Sequence, residues 1–285
     1  MIYSLIYATL PLFYYINSPV TNMREQPKQE AEIVSQAYYS ERVIPIQEED
    51  GWINIEMFVD HYHGWVPKNT LYQREEELLS SPSAVSIRIN RCAAHVYHVP
   101  DTVYGPILTL PFDSRLEVLE PKNESDNSRW IKVLLVDGRE AYIQRGDITF
   151  NQKTLNREQM CALSLRFLDL PYTWGGRSSF GYDCSGFAQM LYSQMKIFIP
   201  RDSKDQIKWQ GFDSIPLENL APGDLIFFGL AEDKIRHVGI YLGNAQFIHA
   251  TVAENAPYIH ISRLSEPEWN GSGRFMYRAA RTLKR

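Results

Sequence analysis

The sequence predicts a multidomain protein in which two small all-β domains precede an α+β domain. Two stretches of alternating apolar residues, at positions 51–71 and 129–148, resemble one another and suggest a repeated β unit. Helical spacing of apolar residues begins only after residue 151, and strand-like segments follow it. The chain has 285 residues, of which 44% are apolar, and this is enough to build more than one hydrophobic core.

Charge and cysteine content exclude several classes of function. The net charge is −5 and no extended basic run occurs, so neither nucleic acid nor an anionic membrane surface is expected as the main partner. Three widely spaced cysteines, with no Cys-x-x-Cys pair, argue against a disulfide framework and a structural zinc site. Free thiols suit a reducing compartment.

The N-terminal segment Met1–Ile16 is almost wholly apolar but does not predict stable membrane insertion. It is too short to span a bilayer, and Pro11 interrupts it. A secretory signal would need a positive start and a small-residue cleavage site, yet the first basic residue is Arg24. We therefore expect a buried β-segment, because Tyr, Phe and Ile favour strands. A signal leading to the periplasm is the alternative.

The two repeated stretches predict similar barrels. Each has a tryptophan, alternating apolar residues, a short turn containing aspartate and a final aliphatic residue, which is typical of a hairpin. Further short strands are expected upstream, at Ser40–Glu49 and Ser114–Pro121. The pattern resembles bacterial SH3-like domains. We place these domains at residues 1–73, including the apolar N-terminal segment, and 84–150, joined by the charged, serine-rich segment 74–84.

The remaining residues, 151–285, predict an α+β domain. A helix is expected within Thr154–Leu170 and ends before Pro171, and another is expected from Cys184 to Met195. A short helix within residues 201–210 and three strands should follow, the strands being Asp224–Gly229, His237–Gly243 and Gln246–Thr251. The pair Gly243-Asn244 predicts a hairpin turn between the last two strands.

Cys184 is the candidate nucleophile. A cysteine at a helix N-terminus faces unpaired backbone N–H groups and the positive end of the helix dipole, which should lower its pKa and favour the thiolate. The same N–H groups could stabilise an oxyanion. Gly175, Gly176 and Gly181 in the preceding loop should let backbone approach a ligand closely. The other two cysteines, Cys92 and Cys161, are expected to be buried and inert.

Two histidines are candidate partners of the cysteine. If the predicted hairpin forms, His237 and His249 are cross-strand neighbours that can hydrogen-bond through their side chains. One imidazole can then serve the cysteine while the other orients it, as in a Cys-His-X triad. A zinc site of Cys and two His was also considered, but no close ligand pair supports it. We therefore expect neither a metal nor another cofactor.

Four ordered motifs carry a resemblance to a known family. They are "PYTWGGRSSFGYDCSGF", "PRDSKDQ", "LAPGDLIFF" and "HVGIYLGNAQFIHA", in the stretch from Thr154 to the C-terminus. This stretch resembles the NlpC-type family of bacterial cell-wall cysteine peptidases, which implies a papain-like α+β fold. The pair of SH3-like domains resembles one branch of that family. That branch cleaves free peptidoglycan peptides between D-γ-glutamate and meso-diaminopimelate.

The resemblance implies roles for individual residues. Cys184 matches the nucleophile, His237 the general base and acid, and His249 the orienting residue. The implied substrate-binding residues are Tyr172 and Trp174 lining the groove, Asp183 and Ser185 flanking the nucleophile, Asp202 and Ser203 holding the substrate, and Glu25 and Tyr62 from the first SH3-like domain. Asp183 could instead be an ordinary helix cap. In the branch specific for a free N-terminal L-alanine, the first domain closes one end of the groove, and Glu25 and Tyr62 are its candidates for binding the α-amine. We expect carboxylates such as Asp183 and Glu25 to hold the substrate's free ammonium.

Three other functions remain open from the sequence alone. The chain could be a binding module with a degenerate catalytic domain, or an amidase or acyltransferase acting on a different amide. It could also be a periplasmic hydrolase of intact cell wall. We favour a peptidase of L-Ala-γ-D-Glu-diaminopimelate peptides in cytoplasmic recycling of the wall.

Overall fold

The computed structural model describes residues 12–78, 85–119, 128–150, 152–253, 256–270 and 275–284. Residues 1–11 of the apolar N-terminal segment and residues 79–84 of the expected linker lie outside this description. Within it, the chain forms two all-β units followed by an α+β unit, which confirms the predicted fold class. No helix among the described residues is long and apolar enough to cross a membrane.

The first unit is a seven-stranded antiparallel sheet in the order β3-β2-β6-β5-β4-β1-β7. Its strands are β1 (Phe13–Ile16), β2 (Val20–Arg24), β3 (Ile33–Tyr38), β4 (Arg42–Glu49), β5 (Trp52–Met57), β6 (His63–Pro67) and β7 (Leu71–Arg74). Alternate residues of β5 are buried, as its alternating sequence predicts. Ile53, Ile55 and Met57 thereby enter a core with Ile16 and Val66.

The second unit repeats this topology. Its strands are β8 (Val85–Ile89), β9 (Ala93–Tyr97), β10 (Leu108–Pro111), β11 (Arg115–Val118), β12 (Trp130–Leu134), β13 (Glu140–Gln144) and β14 (Ile148–Thr149). Their order, β10-β9-β13-β12-β11-β8-β14, is that of the first sheet with every strand number raised by seven. The similarity between positions 51–71 and 129–148 therefore belongs to a repeat of a whole domain.

The third unit carries the chemistry predicted from the sequence. Its helices are α1 (Arg157–Ser164), α2 (Cys184–Gln194), α3 (Ser203–Gln206) and α4 (Pro267–Asn270). Its strands are the two-residue pair β15 (Arg177–Ser178) and β16 (Gly181–Tyr182), and a six-stranded sheet of β17 (Phe212–Ser214), β18 (Leu225–Gly229), β19 (Ile235–Gly243), β20 (Gln246–Thr251), β21 (Tyr258–Arg263) and β22 (Tyr277–Leu283). That sheet has the order β17-β22-β18-β19-β20-β21, and α2 packs on β19 and β20.

Two local predictions need correction. The first helix is shorter than the 154–170 segment, because Asn156 and Gln159 form a capping box that starts α1 at Arg157. The hairpin turn between β19 and β20 consists of Asn244 and Ala245, with φ of +51° and +58°, while Gly243 is the last residue of β19. Positive φ at both central residues is the geometry of a type I′ turn, in which Ala245 occupies a strained position.

The loop before α2 is packed, which contradicts the expectation that its glycines leave room for a ligand. A Cβ on Gly181 would lie 2.0 Å from Oγ1 of Thr173. Gly175 has a φ of +72°, and a Cβ there would lie 2.7 Å from Cγ2 of Ile33 in the first sheet. These glycines are therefore required by close contacts within the protein, including the contact with the first β unit.

The β15–β16 hairpin joins the catalytic unit to both β units. The guanidinium of Arg177 donates to both carboxylate oxygens of Glu41 in the first unit, at 2.9 and 3.1 Å. The hydroxyl of Ser179 donates to the carbonyl of Cys92 and accepts from the N–H of Phe112, both in the second unit. The three units are thus connected by buried polar contacts directly beside α2.

Candidate active site

Cys184 is the first residue of α2, as the sequence predicts. The helix begins there because Asp183 caps it: its backbone is extended, and its Oδ1 accepts the N–H of Gly186 at 2.7 Å. Phe187 N–H donates to the carbonyl of Asp183. No described group accepts the N–H of Cys184 itself, which leaves this donor beside the sulfur for a ligand.

The prediction of a lowered pKa for this thiol is wrong. Burial raises the pKa of Cys184 to about 12, and the negative charge of Asp183 adds to the rise. Backbone hydrogen bonds from Val238 and Ser185 to the sulfur, and the charge of Arg201, act in the opposite direction but do not outweigh burial. At neutral pH the resting site therefore holds a protonated thiol.

The two candidate histidines are hydrogen-bonded to each other. Nε2 of His237 lies 2.7 Å from Nδ1 of His249, and both residues are buried. Trp269 stacks on the His237 ring with an interplanar angle of 27°, and Phe228 and Phe275 also contact that ring. Burial lowers the pKa of His237 to about 3 and lowers the pKa of His249 as well, so both imidazoles are neutral at pH 7.

The histidines meet diagonally rather than directly across the hairpin. Ile240 pairs with Ile248, so the register places Gly239, and not His237, opposite His249. Gly239 has no side chain, and a Cβ there would lie 2.6 Å from the Phe247 ring, so this close contact requires glycine. The predicted hydrogen bond is present, but the predicted pairing is offset by two residues.

The cysteine and the histidine pair are adjacent without a direct hydrogen bond. The sulfur of Cys184 is hydrogen-bonded by the backbone of Val238, the residue after His237. No hydrogen bond between the thiol and His237 is described, and Nδ1 of His237 has no described partner. Catalytic hydrogen bonds often tighten only when substrate is bound. Among the described residues, no group of three or more His, Cys, Asp or Glu could hold a metal ion.

Asp183 forms an ion pair with Arg201, a residue that was not predicted from the sequence to belong to the site. Arg201 donates to both carboxylate oxygens of Asp183, at 3.1 and 2.6 Å, and to the hydroxyl of Ser185 at 2.9 Å. Its Nε donates to Ser35 of the first β unit. The charge of Asp183 is thus neutralised inside the protein, and the residue acts as the helix cap. In the sequence, Arg201 could have been indicated by its position in the motif "PRDSKDQ", immediately before Asp202 and Ser203.

The carboxylate of Asp202 faces the first β unit. The hydroxyl of Tyr62 donates to Asp202 at 3.4 Å, and Lys204 lies 3.3 Å from the same carboxylate. Burial and the charge of Asp202 raise the pKa of Tyr62 to about 12, and the charges of Arg201 and Asp183 also act on this hydroxyl. Tyr62 and Asp202 are therefore in contact near Asp183, and the roles of these residues in binding the substrate stay predictions.

The other candidate residues are less closely tied to this group. Tyr172 is half-buried and forms a bridge to Tyr182, Trp174 is 58% exposed, and Ser203 is the first residue of α3. Glu25 is exposed, and its side chain forms no described hydrogen bond or ion pair. The structure therefore does not bring Glu25 into contact with the other candidates, and its role stays a prediction.

Two further polar residues on β21 were missed. His260 lies directly opposite His249, and Ser262 Oγ lies 3.1 Å from Nε2 of His249. The alternation in "YIHISR" could have indicated that both project from one face of a strand beside the histidine pair.

One described cavity lies away from the cysteine. It has a volume of about 260 Å³ and lies between the two β units and the far side of α2. Glu41, Asp113, Arg177 and Gln189 are among its lining residues, and none of the three candidate triad residues is. The candidate active site is therefore identified by the chemistry of the thiol and the histidine pair, and not by this cavity.

Replacing Arg201 by methionine is expected to lower the free energy of unfolding by about 3–5 kcal/mol, because it leaves the buried Asp183 carboxylate without its partner. Urea unfolding followed by tryptophan fluorescence measures this loss. The matched control is Lys68→Met, which breaks the exposed Lys68–Glu48 pair and should change stability by at most about 1 kcal/mol. Equal effects of the two substitutions would contradict the interpretation of Arg201.

Comparisons with known proteins agree with the predicted resemblance. Residues 169–274 match the NlpC/P60 family, and residues 23–71 match the bacterial dipeptidyl-peptidase Sh3 domain. The chain is 28% identical over 260 residues to a gamma-D-glutamyl-L-lysine dipeptidyl-peptidase of Bacillus cereus, covering 85% of this chain and 75% of that protein. It is 27% identical over 257 residues to dipeptidyl-peptidase 6 of Lysinibacillus sphaericus, and the match covers 87% of this chain and 90% of that protein.

A solved structure shares the fold over nearly the whole chain. The crystal structure of an NlpC/P60 family protein from Bacillus cereus superposes with a TM-score of 0.81 at 23% identity, covering 96% of this chain and 99% of that one. This similarity supports the arrangement of the β units and the α+β unit as one shared architecture.

Proposed function

Because residues 169–274 match the NlpC/P60 family and residues 23–71 match the bacterial dipeptidyl-peptidase Sh3 domain, we propose a specific activity. The protein is a cysteine peptidase that hydrolyses the γ-D-glutamyl bond of peptidoglycan-derived peptides whose N-terminal L-alanine is free. One observation carries this proposal: a thiol on the first residue of a helix lies beside a buried histidine pair and near a carboxylate that a tyrosine of the first β unit contacts.

The protonation states define the first chemical step. The thiol and both imidazoles are neutral, so His237 Nδ1 takes the proton of Cys184 as the sulfur attacks the γ-carbonyl carbon of D-glutamate. The N–H of Cys184 is available to bind the oxyanion, since those of Gly186 and Phe187 already donate to Asp183.

The imidazolium of His237 then protonates the departing amine, and the carbon–nitrogen bond breaks to leave a thioester on Cys184. Water attacks the thioester while His237 accepts its proton. The thiolate of Cys184 leaves and is reprotonated by His237, and the product is a dipeptide with a free γ-carboxyl group. No cofactor is needed for either half of the reaction.

The substrate's free ammonium is assigned to Asp202. Asp183 was the first candidate from the sequence, but its charge is already paired with Arg201. Asp202 follows Arg201 in the chain, is partly exposed and is hydrogen-bonded by Tyr62, and its ion-pair partner Lys204 is exposed, whereas Arg201 is buried. An ammonium would gain a charge-assisted hydrogen bond there, and the Tyr62 hydroxyl would hold the carboxylate in place.

The amino acid after D-glutamate is a diamino acid in this proposal. The resemblance found in the sequence implies meso-diaminopimelate, whereas the name of the similar Bacillus cereus protein specifies L-lysine. Both have an α-amine that would be the leaving group, and they differ in the end of the side chain. The chemistry at Cys184 is the same for both.

Incubating the protein with L-Ala-γ-D-Glu-L-Lys and with the meso-diaminopimelate peptide, and measuring product masses, tests the proposed bond. We expect L-Ala-D-Glu and the free diamino acid from at least one peptide. The control peptide joins D-glutamate through its α-carboxyl group and should remain intact. Release of L-alanine would indicate a different amidase activity. Binding of both peptides without cleavage would indicate a binding module, and either result contradicts the proposal.

A further inference from the structure

We propose that Ser262 is a positioning residue that fixes the tautomers of both histidines in the active site. Its hydroxyl accepts the Nε2–H of His249, and this leaves the correct nitrogen of His237 free to act as the base. The inference rests on the proposed function for its consequence in catalysis, although the tautomers themselves can be observed without any substrate.

The three residues form one line across three adjacent strands. His237 on β19 is offset by two residues from the position opposite His249 on β20. Ser262 on β21 is offset by two residues from His260, which is opposite His249. β19 and β21 run in the same direction, and His237 and Ser262 lie on opposite sides of His249 along it, so the hydrogen bonds of 2.7 and 3.1 Å follow one diagonal.

Only one arrangement of protons along this line is productive. If Ser262 Oγ accepts from Nε2–H of His249, then Nδ1 of His249 is an acceptor and takes the Nε2–H of His237. Nδ1 of His237 then has a free lone pair and can accept the thiol proton. The reverse arrangement, with Ser262 donating, puts a proton on Nδ1 of His237 and removes the base.

Because these residues are buried, water cannot easily take the place of the Ser262 hydroxyl. His237, His249 and Ser262 are 3%, 1% and 1% exposed, and Trp269 covers both imidazole rings. The neighbouring His260 does not take this role, because its Nδ1 lies 3.3 Å from the carbonyl of Tyr258 and faces that acceptor. Removing the Ser262 hydroxyl would leave the Nε2–H of His249 unpaired, which favours the unproductive tautomer.

The first test is the tautomeric state, read from the side-chain ¹⁵N shifts of labelled protein at pH 7. In the unmodified protein we expect His249 and His237 both protonated at Nε2. In Ser262→Ala we expect His249 to shift towards protonation at Nδ1. Finding His249 protonated at Nδ1 in the unmodified protein overturns the proposal by itself, whether or not the variant folds.

The second test is kinetic, on the γ-D-glutamyl peptide that the protein cleaves. Ser262→Ala should lower kcat roughly tenfold with an unchanged KM, and Ser262→Thr should restore most of the loss because it keeps the hydroxyl. The matched control is Ser164→Ala. Ser164 is also a buried serine, but it lies in α1, and the substitution removes the hydrogen bond from its hydroxyl to the carbonyl of Cys161. Unchanged tautomers and kcat in Ser262→Ala would refute the role. A tautomer shift in a protein that cleaves no γ-D-glutamyl peptide would refute only the proposed function.

Discussion

Replacing Cys184 by alanine is expected to abolish peptide hydrolysis, with a loss of kcat of at least about 10⁴-fold. The substitution removes the sulfur, which lies at the start of α2 and is hydrogen-bonded by the backbone of Val238, the residue that follows His237. Without the sulfur no thioester can form, and a water held by the remaining groups would supply only a small residual rate. The measurement is the rate of release of L-Ala-D-Glu from the best tripeptide.

The fold should tolerate this change, which makes the result informative. Cys184 is half-buried, and the helix cap depends on Asp183 rather than on the thiol. The matched control is Cys161→Ala, because Cys161 is also half-buried, lies in α1, and has a pKa raised by burial. Hydrolysis retained in Cys184→Ala, or lost equally in Cys161→Ala, would remove Cys184 from the mechanism.

Acetylating the N-terminal L-alanine of the substrate is expected to reduce kcat/KM at least about 100-fold. A capped amine carries no charge, so the ligand would partly desolvate the Asp202 carboxylate without offering it a charge-assisted hydrogen bond. The acetyl group would also need space at the end of the groove, where Tyr62 of the first β unit contacts Asp202. Rejection therefore comes from uncompensated desolvation of a carboxylate together with steric exclusion.

The source of this selectivity can be located by substitution. Asp202→Asn should lower kcat/KM for the free peptide while leaving the capped peptide almost unaffected, so that the preference shrinks. Asp205→Asn is the matched control, since Asp205 is an exposed carboxylate on the same short helix. Peptides with free L-alanine arise after the wall has been cut, and this preference would place the reaction in turnover of released fragments.

Local sequence signals were sufficient for the parts of the site that depend on regular structure. Cys184 follows a capping residue and begins a helical pattern, so its place at a helix start could be predicted. The alternation around His237 and His249 predicted two paired strands and hence the hydrogen bond between their rings. The repeat of the two β units could be predicted for the same reason, because the alternation of apolar and polar residues indicates which face of a strand is buried.

The predictions that were wrong, and the features that were missed, depend on contacts between residues that are distant in the chain. The pKa of Cys184 is set by how deeply the sulfur is buried, and a helix-terminus argument does not contain that information. The pairing of Asp183 with Arg201 and the contact of Gly175 with Ile33 join segments that only the folded chain brings together. The diagonal offset of the histidines depends on the turn at Asn244-Ala245 together with the register shift between Tyr241 and Gly243.

The most direct test of the account is a competition between two substrates in one reaction. Equal amounts of free and N-acetylated L-Ala-γ-D-Glu-diamino acid peptide are mixed with the protein, and both are followed by mass spectrometry. The account predicts that the free peptide is converted to L-Ala-D-Glu and the diamino acid while the acetylated peptide remains. Consumption of both peptides at the same rate would contradict the closed, amine-binding site formed by the first β unit and Asp202.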